Sequence, residues 1–309
     1  MALNTTIQLE DISAMPAANV AGVVIINCPR GYRYRKIRLK FGASNTANNA
    51  AVPITLLGEI QVKAGGGIQR RCNAVRMDAI NALNGAQFAS RSYPKAVGAS
   101  GRRHLTIFFE ESWRTRIRAQ SVDTNALGFK TGWLPSNKPL QISVAIPAIG
   151  VGFTAVLSAE ADVSDDDDGQ PSPIVKWNTD EANVGGVTAN IANVDNGLKT
   201  GEGILQISAF NTTGNVNTVT QVRFEAGGRV IKQDQGIDEI NTELRHADMD
   251  PDAANALANA AHLVFDQNDA LDDALKVGFG SSLLKFTLSG ANGATLPYVT
   301  QVVGMPNMS

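Results

Sequence analysis

The sequence predicts an all-β protein made of two tandem eight-stranded jelly rolls with a few short helices. Short strand-like runs recur along the whole chain, separated by Gly, Pro and Asn clusters. Helical periodicity is confined to a few stretches, which argues against a doubly wound parallel sheet. The order of elements in the first half recurs in the second half. A length of 309 residues with 43% hydrophobic content suffices for two ordinary cores.

The predicted strands are rich in β-branched and aromatic residues, and the clearest are 23–27, 36–41, 54–62, 105–109, 204–210, 219–225, 284–288 and 298–303. Residues 139–159 carry no charge over about the length of a membrane-spanning helix. Pro147 and two glycines interrupt this stretch, and the alternating patterns at 142–146 and 153–157 predict two strands instead.

Helical periodicity predicts four short helices, at residues 7–15, 75–83, 237–244 and 251–261. The longest predicted loops are 85–101 and 178–203. Both loops are modest in length, so we expect no tall tower with a separate activity.

A strand, a Gly-Gly hairpin, a second strand and a short helix follow one another in both halves of the chain. The Ala-Gly-Gly sequence at 64–66 corresponds to the one at 226–228, and the Ile-Asn pair at 80–81 corresponds to the one at 240–241. Each pair could match by chance, but the same features in the same order indicate a duplicated fold.

Matching strands continue after this unit. His104 and His262 each stand at the start of an apolar strand, and residues 140–144 correspond to residues 284–288. Each half then closes with one more apolar strand. The equivalent positions of the two histidines predict a structural role for them rather than that of a catalytic base.

The two copies are separated by an acidic, proline-containing segment at 164–173. Four adjacent aspartates repel one another and the prolines oppose regular structure, so the segment is interpreted as a solvated linker. The predicted organisation is an N-terminal arm at 1–19, a first jelly roll at 20–163, this linker, and a second jelly roll at 174–309. Scattered apolar residues suit the arm to a membrane or a neighbouring chain, although Glu10 and Asp11 disfavour strong attraction to lipid.

Two consecutive jelly rolls, each with a Gly-rich hairpin and a short helix carrying an Ile-Asn pair, resemble the double jelly-roll major capsid proteins of tailless, membrane-containing icosahedral phages. Tectiviruses, corticoviruses and finnlakeviruses are such phages. The resemblance covers residues 20–305. It implies a homotrimer whose six barrels form a pseudo-hexagonal capsomer, and a capsid lattice of such capsomers over an internal lipid membrane. It further implies minor capsid and vertex proteins as partners and localisation in the virion after synthesis in the host cytoplasm.

No catalytic residue and no cofactor is predicted, because the sequence contains no G-x-S-x-G elbow, no H-E-x-x-H pair and no Walker loop. Cys28 and Cys72 fit neither a disulfide framework nor a zinc site and are expected to be buried. Asp248, Asp250 and Asp252 alternate as calcium ligands do, but the glycine and the glutamate of an EF-hand are missing. They are weak candidates for structural calcium, and hydrated surface carboxylates are the default interpretation.

The net charge of −2 hides two halves of opposite sign, because residues 1–160 carry +11 and residues 161–309 carry −13. A uniformly basic nucleic-acid coat is excluded, and no sequence-specific nucleic-acid binding is predicted. The asymmetry predicts that the basic first barrel of one chain lies beside the acidic second barrel of a neighbouring copy, through many weak pairs.

Basic residues on two predicted strands are the candidates for contact with another subunit or a membrane: Arg33, Arg35, Arg38, Arg114, Arg116 and Arg118. A strand would present the last three on one face. Three interpretations stay open for the group. They are a solvated sheet face, contact with anionic phospholipid or packaged nucleic acid, and contact with an acidic neighbouring subunit.

The leading functional prediction is a self-assembling viral shell protein without enzyme activity. The alternative is a carbohydrate-binding or carbohydrate-processing double jelly-roll protein, since this architecture also hosts lectins and hydrolases. Such a site usually needs exposed aromatic side chains and paired carboxylates. Only three Trp and four Tyr are present. Glu110 and Glu111 are adjacent in sequence, so a strand would point them to opposite faces. A receptor-binding spike is a third hypothesis, disfavoured because spikes tend to be single barrels or fibres.

Overall fold

The first half of the protein forms one barrel of strands in this computed structural model. The structure describes residues 3–44, 52–93, 101–114, 128–148, 154–184, 186–194, 198–199, 201–210, 219–266, 274–276, 281–289 and 295–308. The strands of the first half are β1 (Asn4–Leu9), β2 (Gly22–Cys28), β3 (Arg33–Ser44), β4 (Glu59–Ala64), β5 (Gly67–Asn73), β6 (Arg91–Tyr93), β7 (Arg102–Phe108), β8 (Phe129–Lys130), β9 (Leu140–Ile146) and β10 (Thr154–Ser164). Helix α1 (Ala74–Leu83) and single turns of 3-10 helix at Ile54–Leu56 and Ala86–Phe88 complete this half.

The described residues of the second half repeat this arrangement with eight strands and two helices. The strands are β11 (Ile174–Asn183), β12 (Thr188–Ala192), β13 (Gly203–Phe210), β14 (Val219–Ala226), β15 (Arg229–Gly236), β16 (Ala260–Val264), β17 (Ser282–Leu288) and β18 (Thr295–Gly304). The helices are α2 (Ile237–His246) and α3 (Pro251–Leu257), which follow β15.

Each half has the strand order of a jelly roll. In the first half the order β1-β10-β3-β7 forms one sheet and β2-β9-β4-β5 belongs to the opposite one, with β6 and β8 added at the side of the first. In the second half the corresponding orders are β11-β18-β13-β16 and β12-β17-β14-β15. The predicted fold class, two tandem eight-stranded jelly rolls with short helices, is therefore confirmed.

The duplication extends to individual residue pairs. His104 of β7 is paired with Lys40 of β3, and His262 of β16 is paired with Ser208 of β13. The hairpins that precede α1 and α2 also share a break in strand register. It lies between Val62 and Lys63 in β4 and between the corresponding residues Phe224 and Glu225 in β14. A bulge kept at the same position in two copies indicates one inherited template.

The two barrels share a continuous sheet. Strand β5 of the first barrel and β11 of the second meet in parallel at the pair Arg70 and Trp177, so that eight strands run from β16 to β2 in one sheet. The hydrophobic core of the first barrel continues into this contact, because Trp177, Phe210 and Val299 pack with it rather than with the second core. We call this contact the barrel junction.

Several local predictions hold and others are corrected. Helices α1 and α2 lie where periodicity places them, whereas the third helix ends at Leu257 because the following residues form β16. The predicted helix at 7–15 is wrong, since Asn4–Leu9 pairs along its whole length with β10. Residues 178–203 are not one loop either, because they contain the end of β11 and all of β12.

The N-terminal segment is part of the first barrel. Strand β1 is the edge strand of its sheet, and Ile12 forms a β-bridge with Ile26 of β2. Residues 139–159 hold strands β9 and β10 where they are described, as the alternating pattern predicts. No helix within the described ranges is both long and apolar enough to cross a membrane.

Candidate functional site

The outer surface of the first barrel carries a ladder of ion pairs between β3 and β10, which we call the charged face. Arg38 reaches Glu160 at 2.9 Å and Asp162 at 2.6 Å, and Lys36 reaches Asp162 at 3.1 Å. Lys40 pairs with Glu160 as well. The two strands are direct neighbours, and alternation turns these polar side chains outward while Ile37 and Leu39 fill the core.

Three cations therefore share two carboxylates on the charged face. Burial alone would raise the pKa of Glu160, but the hydrogen bond from Lys40 and the charge of Arg38 outweigh it and lower the pKa. The pKa of Asp162 is lowered in the same way against burial, by hydrogen bonds from Thr6 and Lys36. The cations are only partly covered, so the face keeps an excess of accessible positive charge.

Arg33 and Arg35 lie on the same strand and also have acidic partners within the chain. Arg33 contacts Asp166 at 2.5 Å, and Arg35 forms a forked pair with Glu110. These contacts show where the side chains lie in one chain. The prediction that Arg33, Arg35 and Arg38 contact another subunit or a membrane stays a prediction.

The acidic segment does not behave as a free solvated linker. Its aspartates bind the first barrel: Asp165 accepts the Leu3 amide, Asp167 accepts the Thr131 and Gly132 amides, and Asp168 pairs with Lys130 at 2.8 Å. Together with Asp162 and Asp166, five acidic residues counted with the second half thus contact the first. Assigning these five to the first half lowers its charge from +11 to +6 and changes the second from −13 to −8. The charge contrast persists but is smaller than the sequence halves indicate.

Arg114 lies in the barrel junction rather than on a surface. Its guanidinium group pairs with Glu111 and with Asp266 of the second barrel, and it donates to Gln301 at 3.0 Å. All four side chains are buried. Arg114 is thus bound within the chain, and the expectation that it alternates with Arg116 and Arg118 on one strand face cannot be followed, because those two lie outside the described residues.

Arg70 is the second cation of the barrel junction, and the sequence interpretation missed it. Its Nε donates to the Val175 carbonyl at 2.8 Å, and its Nη2 lies 3.5 Å from Glu111. The guanidinium carbon lies 5.3 Å from the ring centres of both Phe109 and Trp177. Burial and the nearby charge of Arg114 lower the pKa of Arg70 to about 9, so it remains charged near neutral pH.

Only its position in the repeated hairpin, where Arg70 corresponds to Lys232, could have drawn attention to Arg70 in the sequence. The partners lie 41 residues away at Glu111 and 107 residues away at Trp177. No local pattern connects such positions, so the junction is visible only in the fold.

The remaining candidates have structural roles. Asp250 caps α3 by accepting the Ala253 amide, and Asp252 pairs with Arg245 at 2.8 Å. Asp248 stands in the left-handed conformation at the turn before α3. Within the described ranges, no group of three acidic, histidine or cysteine side chains could hold a metal ion. Calcium binding by these aspartates stays a prediction.

Glu110 and Glu111 do not form a catalytic pair, because Glu110 pairs with Arg35 and Glu111 with Arg70 and Arg114 in the junction. His262 is fully buried and contacts the Ser208 hydroxyl at 2.8 Å, and burial lowers its pKa to about 4. Cys28 and Cys72 are buried free thiols, as expected.

Solved structures with the same architecture are viral shell proteins. The major capsid protein of bacteriophage PM2 matches with a TM-score of 0.72 and 15% identity over 99% of this chain and 98% of its own. PBCV-1 VP54, fitted into a reconstruction of the virophage Sputnik, matches at 0.65 with 11% identity over 100% and 97% of the two chains. The STIV major capsid protein matches at 0.63 with 16% identity over 98% and 97%. No family model and no curated protein sequence matches the chain. The chain has the double jelly-roll fold of these capsid proteins.

Proposed function

We propose that this protein is a viral major capsid protein whose pseudo-hexagonal trimers tile an icosahedral shell over an internal membrane. The observation that carries the proposal is the side-by-side arrangement of two jelly rolls over the whole chain, which superposes on the PM2 capsid protein along 99% of the residues. Sequence identity is low, so it is the arrangement of the barrels that supports the function.

The barrel junction makes this arrangement a suitable building block. A shared sheet and the buried ions Arg70, Glu111, Arg114 and Asp266 hold the two barrels in one orientation. Removing one partner from such a network leaves a buried charge unpaired, so partial opening of the junction is costly. Three copies of a rigid two-barrel unit supply six barrels with the same strand order, which suits a hexagonal outline.

The proposed location is the capsid of the virion, and the proposed main partner is the protein itself, first as a homotrimer and then in the lattice. Minor capsid proteins, vertex proteins and the lipid membrane are proposed as further contacts. A capsid role needs no active site, and we propose no enzymatic activity. Glu110 and Glu111, the nearest approach to a carboxylate pair in the sequence, are each engaged in ion pairs with arginines, and this arrangement does not favour a carbohydrate-processing role.

Light scattering and negative-stain microscopy of the purified, lipid-free protein test the proposal. We expect particles of about 98 kDa, three times the 32.7 kDa of one chain, with a hexagonal outline in projection. Measurement at low salt favours assembly, because the surface charges are then least screened. A protein that stays at the mass of one chain at all concentrations and salt conditions would contradict the proposed function.

A further inference from the structure

Two sheet edges of the chain pair with each other, whereas their counterparts in the duplicated fold have no second strand partner among the described strands. Strand β5 of the first barrel pairs with β11 of the second. The counterpart of β5 is β15, and the counterpart of β11 is β1. Among the described strands, β15 and β1 each end a sheet, with a strand partner on one side only.

Burial follows this difference. In β5 the residues Gly67, Gln69, Arg70 and Cys72 are buried, whereas every residue of β15 is exposed or half-buried. The first four residues of β11 are buried, whereas the first five of β1 are not. Val230 and Ile231 of β15 are 45% and 39% exposed, an unusual position for adjacent apolar side chains on a free sheet edge.

The sheets that carry these edges show the same contrast on their outer surfaces. The outer face of β11-β18-β13-β16 lies against the first barrel, and its polar residues Gln206, Ser208 and His262 are fully buried. The register counterparts of Ser208 and His262 on the first barrel are Lys40 and His104, which remain half-buried on the charged face. One face is covered within the chain, and its counterpart is open.

We infer that the open pair of edges is closed by a second copy of this chain, with β15 of one copy lying parallel to β1 of the next and α2 lying over the charged face. The inference rests on the proposed function, and it names the surfaces that the trimer would use. The contact between chains then repeats the barrel junction within each chain. A contact of this head-to-tail kind closes into a ring when its rotation allows, and three copies of two barrels make a ring of six.

The helices that accompany the two edges support this assignment. Helix α1 is buried over nearly its whole length and packs against α3 of the second barrel, and Leu83 at its end belongs to the second core. Its counterpart α2 buries only Ile240 and Leu244 and exposes Asp238 and Glu239. An acidic helix end suits a neighbour whose surface carries excess positive charge, as the charged face does.

The register of the contact follows from the repeat. Lys232 corresponds to Arg70, because each stands opposite the residue before the bulge in its hairpin. Gln8 corresponds to Trp177 by the pairing across each sheet. Gln8 pairs with Glu160, which pairs with Arg38, two residues before Lys40. Trp177 pairs with Gln301, which pairs with Gln206, two residues before Ser208, the counterpart of Lys40. Lys232 of one copy is therefore opposite Gln8 of the next.

Disulfide trapping tests this register directly. Neighbouring strands lie about 4.8 Å apart, within the range of Cα separations that a disulfide spans. We expect the double variant Gln8→Cys/Lys232→Cys, treated with oxidised glutathione, to give covalent dimers and trimers on a non-reducing gel that dithiothreitol reverses. The matched control is Gln8→Cys/Asn190→Cys. Asn190 is exposed on β12, which is the edge opposite β15 in the sheet that contains Lys232. The native thiols are buried in both variants.

The outcomes separate the inference from the proposed function. Trimers in solution that the first pair does not link, or that the control pair links equally well, would overturn the inference and leave the capsid proposal standing. A wild-type protein that is always monomeric would overturn both. Covalent trimers from the first pair alone would support both.

A second variant tests the inference if the cysteine variants fold poorly. Ile231→Glu places a charge on the free edge of β15. We expect it to raise the protein concentration at which trimers dissociate into monomers at least tenfold. The control Val23→Glu changes a 58% exposed residue on β2, away from the inferred contact, and should leave the trimer intact. Equal effects of the two substitutions, with native circular dichroism for both, would contradict the inference.

Discussion

The two barrels of this protein share a strand order, a hairpin bulge and paired histidine positions, but they differ in what covers their outer faces. The second barrel turns neutral polar residues such as Gln206 and Ser208 toward the first barrel, where they are fully buried. The first barrel presents Arg38 and Lys40 with their acidic partners to its surroundings. Outside the paired ions of the barrel junction, neutral polar groups suit this permanently covered face because burying an unpaired charge is costly, whereas paired charges suit a face that is solvated before assembly.

The same comparison explains how two helices of one origin came to differ. Helix α1 is buried around most of its circumference because both barrels surround it, and α2 buries only one apolar face because only its own barrel covers it. The strand register is thus the same in both copies of the fold, whereas the residue composition of each helix surface depends on what packs against it.

The largest predicted difference concerns the two register counterparts Arg70 and Lys232. Arg70→Ala leaves Glu111 with one cation fewer in a buried site, and we expect it to lower the free energy of unfolding by about 3–5 kcal/mol. Lys232→Ala removes a partly exposed pair with Glu243 and should cost about 0–1 kcal/mol. Urea unfolding of both variants, compared at concentrations with the same assembly state, measures the difference. Similar losses would mean that the junction is not a distinct buried network.

The two histidines give a pH-dependent version of the comparison. Burial lowers the folded-state pKa of His262 from 6.5 to about 4, so its neutral form contributes stability above pH 6.5 that is lost as the pH falls toward 4. The full contribution is about 3 kcal/mol. We expect His262→Gln to flatten the dependence of unfolding free energy on pH between about 6.5 and 4.

His104→Gln is the matched control, because His104 is half-buried and its pKa is lowered less, by burial and by the charge of Lys40. It should leave most of the pH dependence in place. If His104→Gln flattened the curve and His262→Gln did not, the two positions would have been assigned the wrong environments.

The smallest predicted effect lies on the charged face. Glu160→Gln removes the partner of Arg38 and Lys40, which are partly exposed, and should cost one chain about 1 kcal/mol or less. The loss should disappear in about 1 M salt, where the Debye length is about 3 Å. The exposed Glu181→Gln serves as control. A loss that persists in high salt would show that this ladder is not a surface feature.

Local sequence patterns predict the elements whose partners are close in the chain. The β4–β5 hairpin and α1 are correct because the turn glycines and the helical period lie within a few residues of each other. The helix predicted at 7–15 overlaps the end of strand β1, because the apolar spacing there fits both structures and the partner β10 lies 150 to 160 residues away. Tertiary pairing decided between the two.

The candidate site was predictable only in part. The basic character of β3 is evident from sequence, but its partners Glu160 and Asp162 and the contacts of the acidic segment depend on the order of strands in the sheet. The barrel junction was not predicted at all, because Arg114 and Asp266 come from different barrels. Alternation indicates which residues share a face, but it does not indicate which face is covered.

Electron cryomicroscopy of the purified oligomer would show whether the contact between chains repeats the contact within a chain. We expect a ring of six barrels in which β15 of each copy lies beside β1 of the next, and in which this contact superposes on the pairing of β5 with β11. A ring whose copies meet through the β2 or β12 edges, or an oligomer in which β15 and β1 both face solvent, would contradict it.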